Sequence, residues 1–547
     1  MDYNALSELL FPNIKKTPEE IEAMFPPRQL PEGAKVTRFA PSPTGFVHFG
    51  SLFPTMVGER LAHQSGGVFY LRIEDTDAKR EVEGADMDII NSYASYGIFF
   101  DEGICAGGEK GNYGPYRQSK RAEIYQTYAK KLVEEGKAYP CFCTEEELSA
   151  IREEQEALKA NPGYYGRWAK YRDADLETVK EKMADGLPFV LRFRSEGNIE
   201  NKIKFTDLIK GAIEITENDI DHVLLKSDGI PTYHFAHAID DHLMHTTHVV
   251  RGEEWLPSLP FHVQLFRALG FKIPKYLHIS QLMKMEGGSK KKLSKRDLGA
   301  GLSYYVSEGY PAKSVKEYVM TLLNSNYEEW RAANPKADMN DFAFSIKKMS
   351  ASGSLFDFDK LNDISKNTIA HMSADEVYDE IVKWAKEYDT ELYDLFTRDS
   401  EYAKRILSIG RGTPKPRKDL CIWKDVKPYV GLFYDELFKV EAEIPANFDK
   451  EDVKKALTMF TETYDEKDDA NEWFAKLKVI AEKLGFAPET KLYKKNPDDY
   501  KGHVGDISMF IRIALTGKTN SPDMYEVMNI LGKERSLSRI NNAIANI

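Results

Sequence analysis

The sequence predicts an α/β protein: a doubly wound parallel sheet carrying an α+β insertion, followed by an all-helical region. Three observations predict it. A strand, a Pro/Gly loop, a helix and a second strand succeed one another within residues 35–73, the usual opening of a parallel sheet. Charged helical sequence and then alternating strands occupy 144–215, after which buried-strand sequence returns at 222–225 and 248–250. Beyond residue 310 the periodicity is almost wholly helical.

Taken in order, residues 1–33 read as an extension, with Pro26, Pro27, Pro31 and Gly33 marking a linker. The first strand is predicted at 35–39 and a helix at about 51–64. Gly66-Gly67 ends that helix, and residues 68–73 form the next strand. A helix is predicted over 119–136, capped by Ser119 and closed by Gly136, with Ile124, Tyr128 and Leu132 on one face. Long helices are predicted at 374–389, 450–465 and 470–485.

At 547 residues the chain is too long for a single core. Four cysteines in that length argue against a disulfide framework and for a reducing, cytoplasmic setting. No run of about 18 apolar residues suggests a membrane span. The net charge of −12 excludes a uniformly basic nucleic-acid binder but permits local basic patches. One such patch runs from Lys290 to Arg296. A second collects Lys404, Arg405, Arg411, Lys415, Arg417, Lys418, Lys424 and Lys427.

Two distant motifs carry the chemistry. In Pro41-Ser42-Pro43-Thr44-Gly45-Phe46-Val47-His48-Phe49-Gly50-Ser51, a tight loop after a strand delivers His48, Gly50 and Ser51 to a helix start. Amides there favour an anion. In Lys291-Lys292-Leu293-Ser294-Lys295-Arg296, cations follow Gly287-Gly288 and suit a phosphate-covering loop. Alone, the first also reads as an ordinary strand-to-helix turn and the second as a solvated charge run. Together they suggest one site gripping a triphosphate from two sides. Arg72-Ile73-Glu74-Asp75-Thr76-Asp77 places acids at a strand end, where such sheets bind ligands. His242, His245 and His248 are spaced too loosely for a metal site.

These stretches resemble a known family. Arg38-Phe39-Ala40-Pro41-Ser42-Pro43-Thr44-Gly45, His48-Phe49-Gly50 and Lys292-Leu293-Ser294-Lys295-Arg296 are similar to the two signatures of class I aminoacyl-tRNA synthetases. Gly114-Pro115-Tyr116-Arg117-Gln118-Ser119, Pro231-Thr232-Tyr233-His234-Phe235-Ala236, Asp240-Asp241-His242 and Arg251-Gly252-Glu253-Glu254-Trp255 narrow the likeness to the bacterial-type glutamyl branch. The resemblance runs from about residue 35 to the end of the chain.

The resemblance implies a Rossmann-type catalytic domain in two halves, 34–140 and 222–311, around an acceptor-arm-binding insertion at 141–221. A stem-contact helical domain at 312–375 and a helical anticodon-binding domain at 376–547 would follow. The implied reaction joins ATP and L-glutamate to glutamyl-adenylate, then transfers the acyl group to tRNA(Glu), with tRNA(Gln) left open as a second acceptor. His48, Lys292 and Lys295 would be catalytic, with Mg2+ on the phosphates. His48, Gly50, Ser51, Glu254, Trp255, Lys292, Ser294 and Lys295 would bind ATP. Arg38, Ser42, Glu74, Tyr233, His237 and Arg251 would hold glutamate.

Arg411, Arg417, Lys418 and Trp423 are expected to touch tRNA. A monomer is expected. Two departures stand out. His237 replaces a smaller polar residue. In the insertion, Cys141-Phe142-Cys143 and Tyr164 persist, but Trp168 stands where relatives that bind zinc have a last cysteine. Two thiolates do not close a structural zinc site, so no zinc is expected. The alternatives are a glutaminyl-tRNA synthetase, whose C-terminal β-barrels the helical tail disfavours, and a non-catalytic tRNA-binding paralogue, which the presence of His48, Lys292 and Lys295 disfavours.

Overall fold

A computed structural model describes residues 1–45, 47–77, 81–293 and 299–547. The expectations for Ser294 and Lys295 fall outside the described residues. The chain divides into two compact units, Met1–Tyr304 with Lys316–Asp357, and Tyr305–Val315 with Phe358–Ile547.

The first unit begins with α1 (Tyr3–Leu10) and α2 (Pro18–Met24). It continues through β1 (Val36–Phe39), α3 (Leu52–His63), β2 (Val68–Leu71), α4 (Ala85–Ser95), β3 (Glu102–Cys105) and β4 (Gly108–Lys110). The run Val68-Phe69-Tyr70-Leu71 has little polar alternation because its strand is covered on both faces. β1 pairs with β2, and β2 with β3, in parallel, while β4 folds back antiparallel on β3.

Next come α5 (Ala122–Glu134), β5 (Ala138–Cys141), α6 (Glu145–Ala157), α7 (Leu176–Ala184), β6 (Val190–Phe193), β7 (Lys202–Asp207), β8 (Gly211–Thr216) and β9 (Val223–Leu225). Strands β5, β6 and β9 make one antiparallel sheet, and β7 with β8 make a separate hairpin. The parallel pattern resumes with α8 (Tyr233–Leu243), β10 (His248–Gly252), α9 (Leu259–Ala268) and β11 (Lys275–Ile279). β10 pairs in parallel with β11. Thr247 N–H donates to Val36 O at 3.0 Å, which lays β10 beside β1. The spatial order β3-β2-β1-β10-β11 therefore reverses its chain direction of growth between β1 and β10. That is the switch point where doubly wound sheets open a ligand crevice.

Two expectations change. Ser119 does not cap α5: its N–H and Oγ both donate to Asp75, at 2.8 and 2.7 Å, and a 3-10 turn at Gln118–Arg121 intervenes. Residues 1–33 are not a bare linker. α1 and α2 pack on α5. Glu22 meets His242 at 2.7 Å, His245 Nε2 meets Phe25 O at 2.9 Å, and Arg28 grips both Glu102 oxygens at 2.7 and 2.9 Å. His242 also lies flat on Phe271, with ring centres 3.6 Å apart. The loosely spaced histidines thus serve packing. Among the described residues no group of three His, Cys, Asp or Glu side chains is placed to hold a metal.

The second unit is helical. Its helices include Ala374–Tyr388, Lys450–Thr463 and Ala470–Leu484, close to the predicted ranges. Their ends follow local chemistry. Ser373 with Glu376 and Asp469 with Glu472 form reciprocal caps, and Gly485 at φ 81° closes the last helix. Trp384, Trp423, Phe433, Phe460, Trp473 and Phe510 lie in its core. No helix among the described residues is long and apolar enough to cross a membrane.

Candidate active site

The switch point opens into a cleft of about 1620 Å³, larger than the ~300–1,000 Å³ of an ordinary small-molecule pocket. Arg38, Ser42, His48, Gly50, Ser51, Glu74, Tyr233, Arg251, Glu254, Trp255 and Lys292 all line it. Residues separated by more than two hundred positions meet here because β1 and β10 are neighbours.

The first motif leaves β1 and turns into a 3-10 helix, Phe49–Ser51, before α3. His48 Nδ1 accepts the Gly50 N–H at 2.9 Å, so the neutral ring carries its proton on Nε2. A Cβ at Gly50 would stand 3.0 Å from that Nδ1, which disfavours any side chain there. Ser51 Oγ bonds His48 O at 2.5 Å and Tyr93 Oη at 2.9 Å. The second motif is lashed to the first just after its loop: Phe49 N–H donates to Ala300 O at 2.7 Å, and Leu302 N–H to Val47 O at 3.0 Å. Lys292 ends an exposed strand, Ser289–Lys292, and Leu293 is buried against the cleft floor.

The opposite wall is built on buried charge. Arg38 Nε contacts both Asp241 oxygens at 3.1 Å. Arg72 reaches the same Asp241 at 2.7 Å and Glu74 at 3.0 Å. Burial pushes the Asp241 carboxyl up, but Arg38 and Arg72 outweigh it and hold it well below the ordinary range. Burial raises the Glu74 carboxyl, with Arg72 and Arg38 opposing.

Arg251 is different. Among the described residues its hydrogen-bond partners are all neutral. They are His278 Nε2 at 2.9 Å, His262 Nδ1 at 3.2 Å, Trp255 O at 3.4 Å and Tyr233 Oη at 3.5 Å. Burial lowers the surrounding imidazoles, His234 to about 4 and His262 well below the usual value, so they stay uncharged. A buried guanidinium with no carboxylate partner is a receptor for an anion.

The Tyr233 and Trp255 rings lie against each other at 4.3 Å between centroids, tilted by 36°. Gly252 admits the Glu254 carboxylate, whose Oε2 passes 2.2 Å from where a Cβ would stand. His237, expected in the pocket, is fully buried behind Tyr233, its ring parallel at 5.8 Å. It does not line the cleft. Nε2 meets Tyr276 Oη at 2.8 Å, and Nδ1 lies 2.7 Å from Asp241 without good hydrogen-bond alignment. Burial pushes its pKa down to about 3.

Sequence reasoning left Asp241, His262 and His278 without roles. The pairing of Arg38 with Asp241 spans 203 positions and has no local signature. His278 had one: a histidine on a strand whose neighbours Tyr276 and Leu277 are apolar.

In the insertion, Cys143 Sγ stands 3.5 Å from Tyr164 Oη, and Arg192 lies 4.0 Å over the Tyr164 ring. The Trp168 ring lies 5.2 Å from that of Tyr165, with Arg167 4.8 Å over it. These donors do not make a four-ligand cage.

In the second unit, two tRNA assignments are corrected. Trp423 is 2% exposed and cannot stack on a base, because its backbone is held against Gly309 and its ring in the core. Arg411 closes helix ends, donating to Leu407 O at 2.7 Å, to Ile369 O and to Met372 O at 3.2 Å. Arg417, paired with Asp419 at 2.7 and 2.9 Å, and Lys418 remain at the surface. Lys404, Lys424 and Lys427 also face carboxylates, so the basic stretch is less positive than its composition.

Comparison with known proteins finds close relatives over the whole chain. Residues 35–363 match the family described as tRNA synthetases class I (E and Q), catalytic domain, and residues 376–544 match an anticodon binding domain. The chain is 53% identical to a glutamate–tRNA ligase of Acetivibrio thermocellus, over 100% of both chains. It is 51% identical to one from Clostridium perfringens strain 13, covering 99% of this chain and 100% of that one. A crystal structure of a glutamate tRNA ligase from Elizabethkingia meningosepticum, in complex with its amino acid, superposes with a TM-score of 0.73. It has 31% identity and covers 93% of this chain and 99% of that one.

Proposed function

We propose the following division of labour for a chain that belongs to the class I tRNA synthetases of the glutamate and glutamine branch, and within it to the glutamate–tRNA ligases. The enzyme activates L-glutamate with ATP and transfers it to tRNA(Glu). The observation that carries the site assignment is the buried Arg251, ringed by neutral acceptors, on the wall facing the His48 and Lys292 motifs.

The glutamate side-chain carboxylate pairs with Arg251, with Tyr233 Oη beside it. Arg38 is already neutralised by Asp241, so it contributes orientation and a shared field rather than an open charge. Glu74 and Ser42 lie on the same wall and suit the ammonium end of the amino acid. Glutamine would leave the Arg251 charge uncompensated in a desolvated site, which costs a few kcal/mol, roughly two orders of magnitude in selectivity.

The α-carboxylate oxygen then bonds to the α-phosphorus as the bond to pyrophosphate breaks. Holding these atoms in line is most of the catalysis. His48 Nε2–H and Lys292 donate to phosphate oxygens that gain charge as pyrophosphate departs. Lys295 and Ser294 are proposed to act with Lys292. Gly50 and Ser51 admit the triphosphate to the helix start, and Glu254 with Trp255 borders the adenosine. Magnesium would arrive with ATP, screening phosphate charge; no protein step is assigned to it.

No zinc is proposed for the Cys141–Cys143 region. Stoichiometric zinc in purified protein by elemental analysis would overturn this. A monomeric, cytoplasmic enzyme is part of this proposal, and four cysteines with no disulfide suit a reducing compartment. Arg417 and Lys418 are the remaining surface contacts proposed for tRNA, and the domain limits expected from the sequence stand as part of this proposal.

The test is ATP–pyrophosphate exchange with glutamate and with glutamine, each with and without cognate tRNA. Exchange with glutamate and tRNA, and none with glutamine, is the expected result. Absence of glutamate-dependent exchange in the presence of tRNA would overturn the proposal. Charging tRNA(Glu) and tRNA(Gln) side by side decides whether the second acceptor is used.

A further inference from the structure

We propose that Asp207 and His278 are positioning residues for the substrate carboxylate, acting through Arg251. This inference rests on glutamate as the acid that Arg251 receives.

The three side chains form a buried line. Asp207 Oδ2 lies 2.7 Å from His278 Nδ1, and His278 Nε2 lies 2.9 Å from Arg251 Nε. Asp207 and His278 are buried at 1% and 0% exposure, and Arg251 at 6%. Asp207 comes from the last position of β7, in the insertion's hairpin, whereas His278 and Arg251 sit on the adjacent parallel strands β11 and β10. The hairpin is fixed over those strands. Leu208 N–H donates to Tyr276 O at 2.9 Å, and Ile203, Phe205, Ile213 and Ile215 pack on Val249, Leu259, Val263 and Tyr276.

Proton bookkeeping leaves one arrangement. Asp207 accepts four N–H groups. Oδ1 takes the backbone amides of Ile209 and Lys210, at 2.9 and 2.8 Å. Oδ2 takes His278 N–H at 3.2 Å and the ring Nδ1–H at 2.7 Å. A carboxylate only accepts and a guanidinium only donates. His278 is therefore held neutral, protonated on Nδ1, with its Nε2 lone pair facing Arg251 Nε–H. A protonated ring would set two donors against each other. Burial lowers its pKa in the same sense, against the pull of Asp207.

The consequence falls on Arg251. With Nε engaged from behind, the terminal nitrogens reach cleft-lining groups, Nη1 to Tyr233 Oη and Nη2 to Trp255 O, and Nη1 also meets His262 Nδ1 at 3.2 Å. Those are the atoms a carboxylate takes in a two-pronged pair. His278 thus supplies orientation without supplying a competing negative charge. Asp207 itself, one residue further back, sets the tautomer.

The experiment is steady-state pyrophosphate exchange by the full-length enzyme with tRNA present, measuring KM for glutamate and for ATP separately. Three variants are compared: His278→Leu, His278→Gln and Asp207→Asn. Leucine removes the acceptor and should raise the glutamate KM about tenfold or more, with the ATP KM within about twofold of wild type. Glutamine can present its Oε1 where Nε2 stood, and should restore most of the glutamate affinity.

Asparagine at 207 must turn its NH2 toward an N–H donor. Facing His278, it forces the other tautomer against Arg251, and the glutamate KM should rise as with leucine. A wild-type glutamate KM in His278→Leu or Asp207→Asn overturns the relay. So does a parallel rise in both KM values, or a His278→Gln enzyme no better than His278→Leu. If His278→Leu fails to fold, the contrast between His278→Gln and Asp207→Asn decides alone. Wild-type exchange with glutamate in the same series separates failure of the relay from failure of the substrate assignment.

Discussion

Asp241 neutralises Arg38 from both carboxylate oxygens, at 3.1 Å each, and is fully shared with Arg72 at 2.7 Å. Two buried guanidinium groups thus share this carboxylate beneath the substrate cleft, and Arg72 also pairs with Glu74 at 3.0 Å.

Asp241→Asn should be severely destabilising. It leaves Arg38 buried without its charge partner and Arg72 with only Glu74 and the more distant Asp240, a loss of roughly 3–5 kcal/mol. Urea denaturation of the first catalytic unit's transition measures it. A change under about 1 kcal/mol would show that the pair is solvated in the folded enzyme.

Arg251→Lys should fold and fail in binding. Lysine keeps the charge but has no Nε–H for His278 and no planar fork for a carboxylate. kcat/KM for glutamate should fall about a hundredfold, about 2.7 kcal/mol, with ATP binding little changed. An equal loss in the ATP KM would point to collapse of the cleft.

His63 lies between Glu59 and Asp101, 3.0 Å from each, on the face of α3 away from the site. The hydrogen bonds its protonated ring donates to Asp101 and then Glu59 raise its pKa to about 10. A raised folded pKa means the contribution is complete below the unfolded value of about 6.5 and is lost as pH climbs toward 10. The melting temperature of His63→Gln should therefore fall below wild type at pH 6 and converge with it near pH 10. A pH-independent gap would mean the imidazolium is not the stabilising species.

Trp423→Ala and the pair Arg417→Ala with Lys418→Ala should separate cleanly. The first empties a core position and should cost about 3–5 kcal/mol of stability in the helical unit. The second should leave stability within about 0.5 kcal/mol and raise the tRNA KM several-fold, leaving the glutamate KM alone. A tRNA KM unchanged in the double variant would move the contact surface elsewhere.

Much of the fold was readable because its signals are local. Gly136 and Gly485 end helices, Val68-Phe69-Tyr70-Leu71 is a covered strand, and Ser373 and Asp469 announce helix starts. The site's outer wall was readable for the same reason, since His48 and Gly50 act within one turn. What could not be read was pairing at a distance. Trp423 beside basic residues looks like a stacking platform, and only tertiary packing puts it inside. His237 has pocket spacing on α8, yet Tyr233 stands in front of it. Asp207 lies in the inserted hairpin, 71 positions from His278, and nothing in the spacing joins them.

The Arg38–Asp241 pair also orders events in time. A growing chain makes Arg38 and Arg72 first, and the Asp241 they share follows 203 and 169 positions later. At roughly 5–20 residues per second that is a wait on the order of 10–40 s. The insertion, with its own sheet, is completed meanwhile. The Arg38 wall gains this carboxylate only when α8 is made, and the cleft is complete only after the Lys292 strand follows it, so the two motifs that line one cleft are finished at opposite ends of the catalytic unit's synthesis.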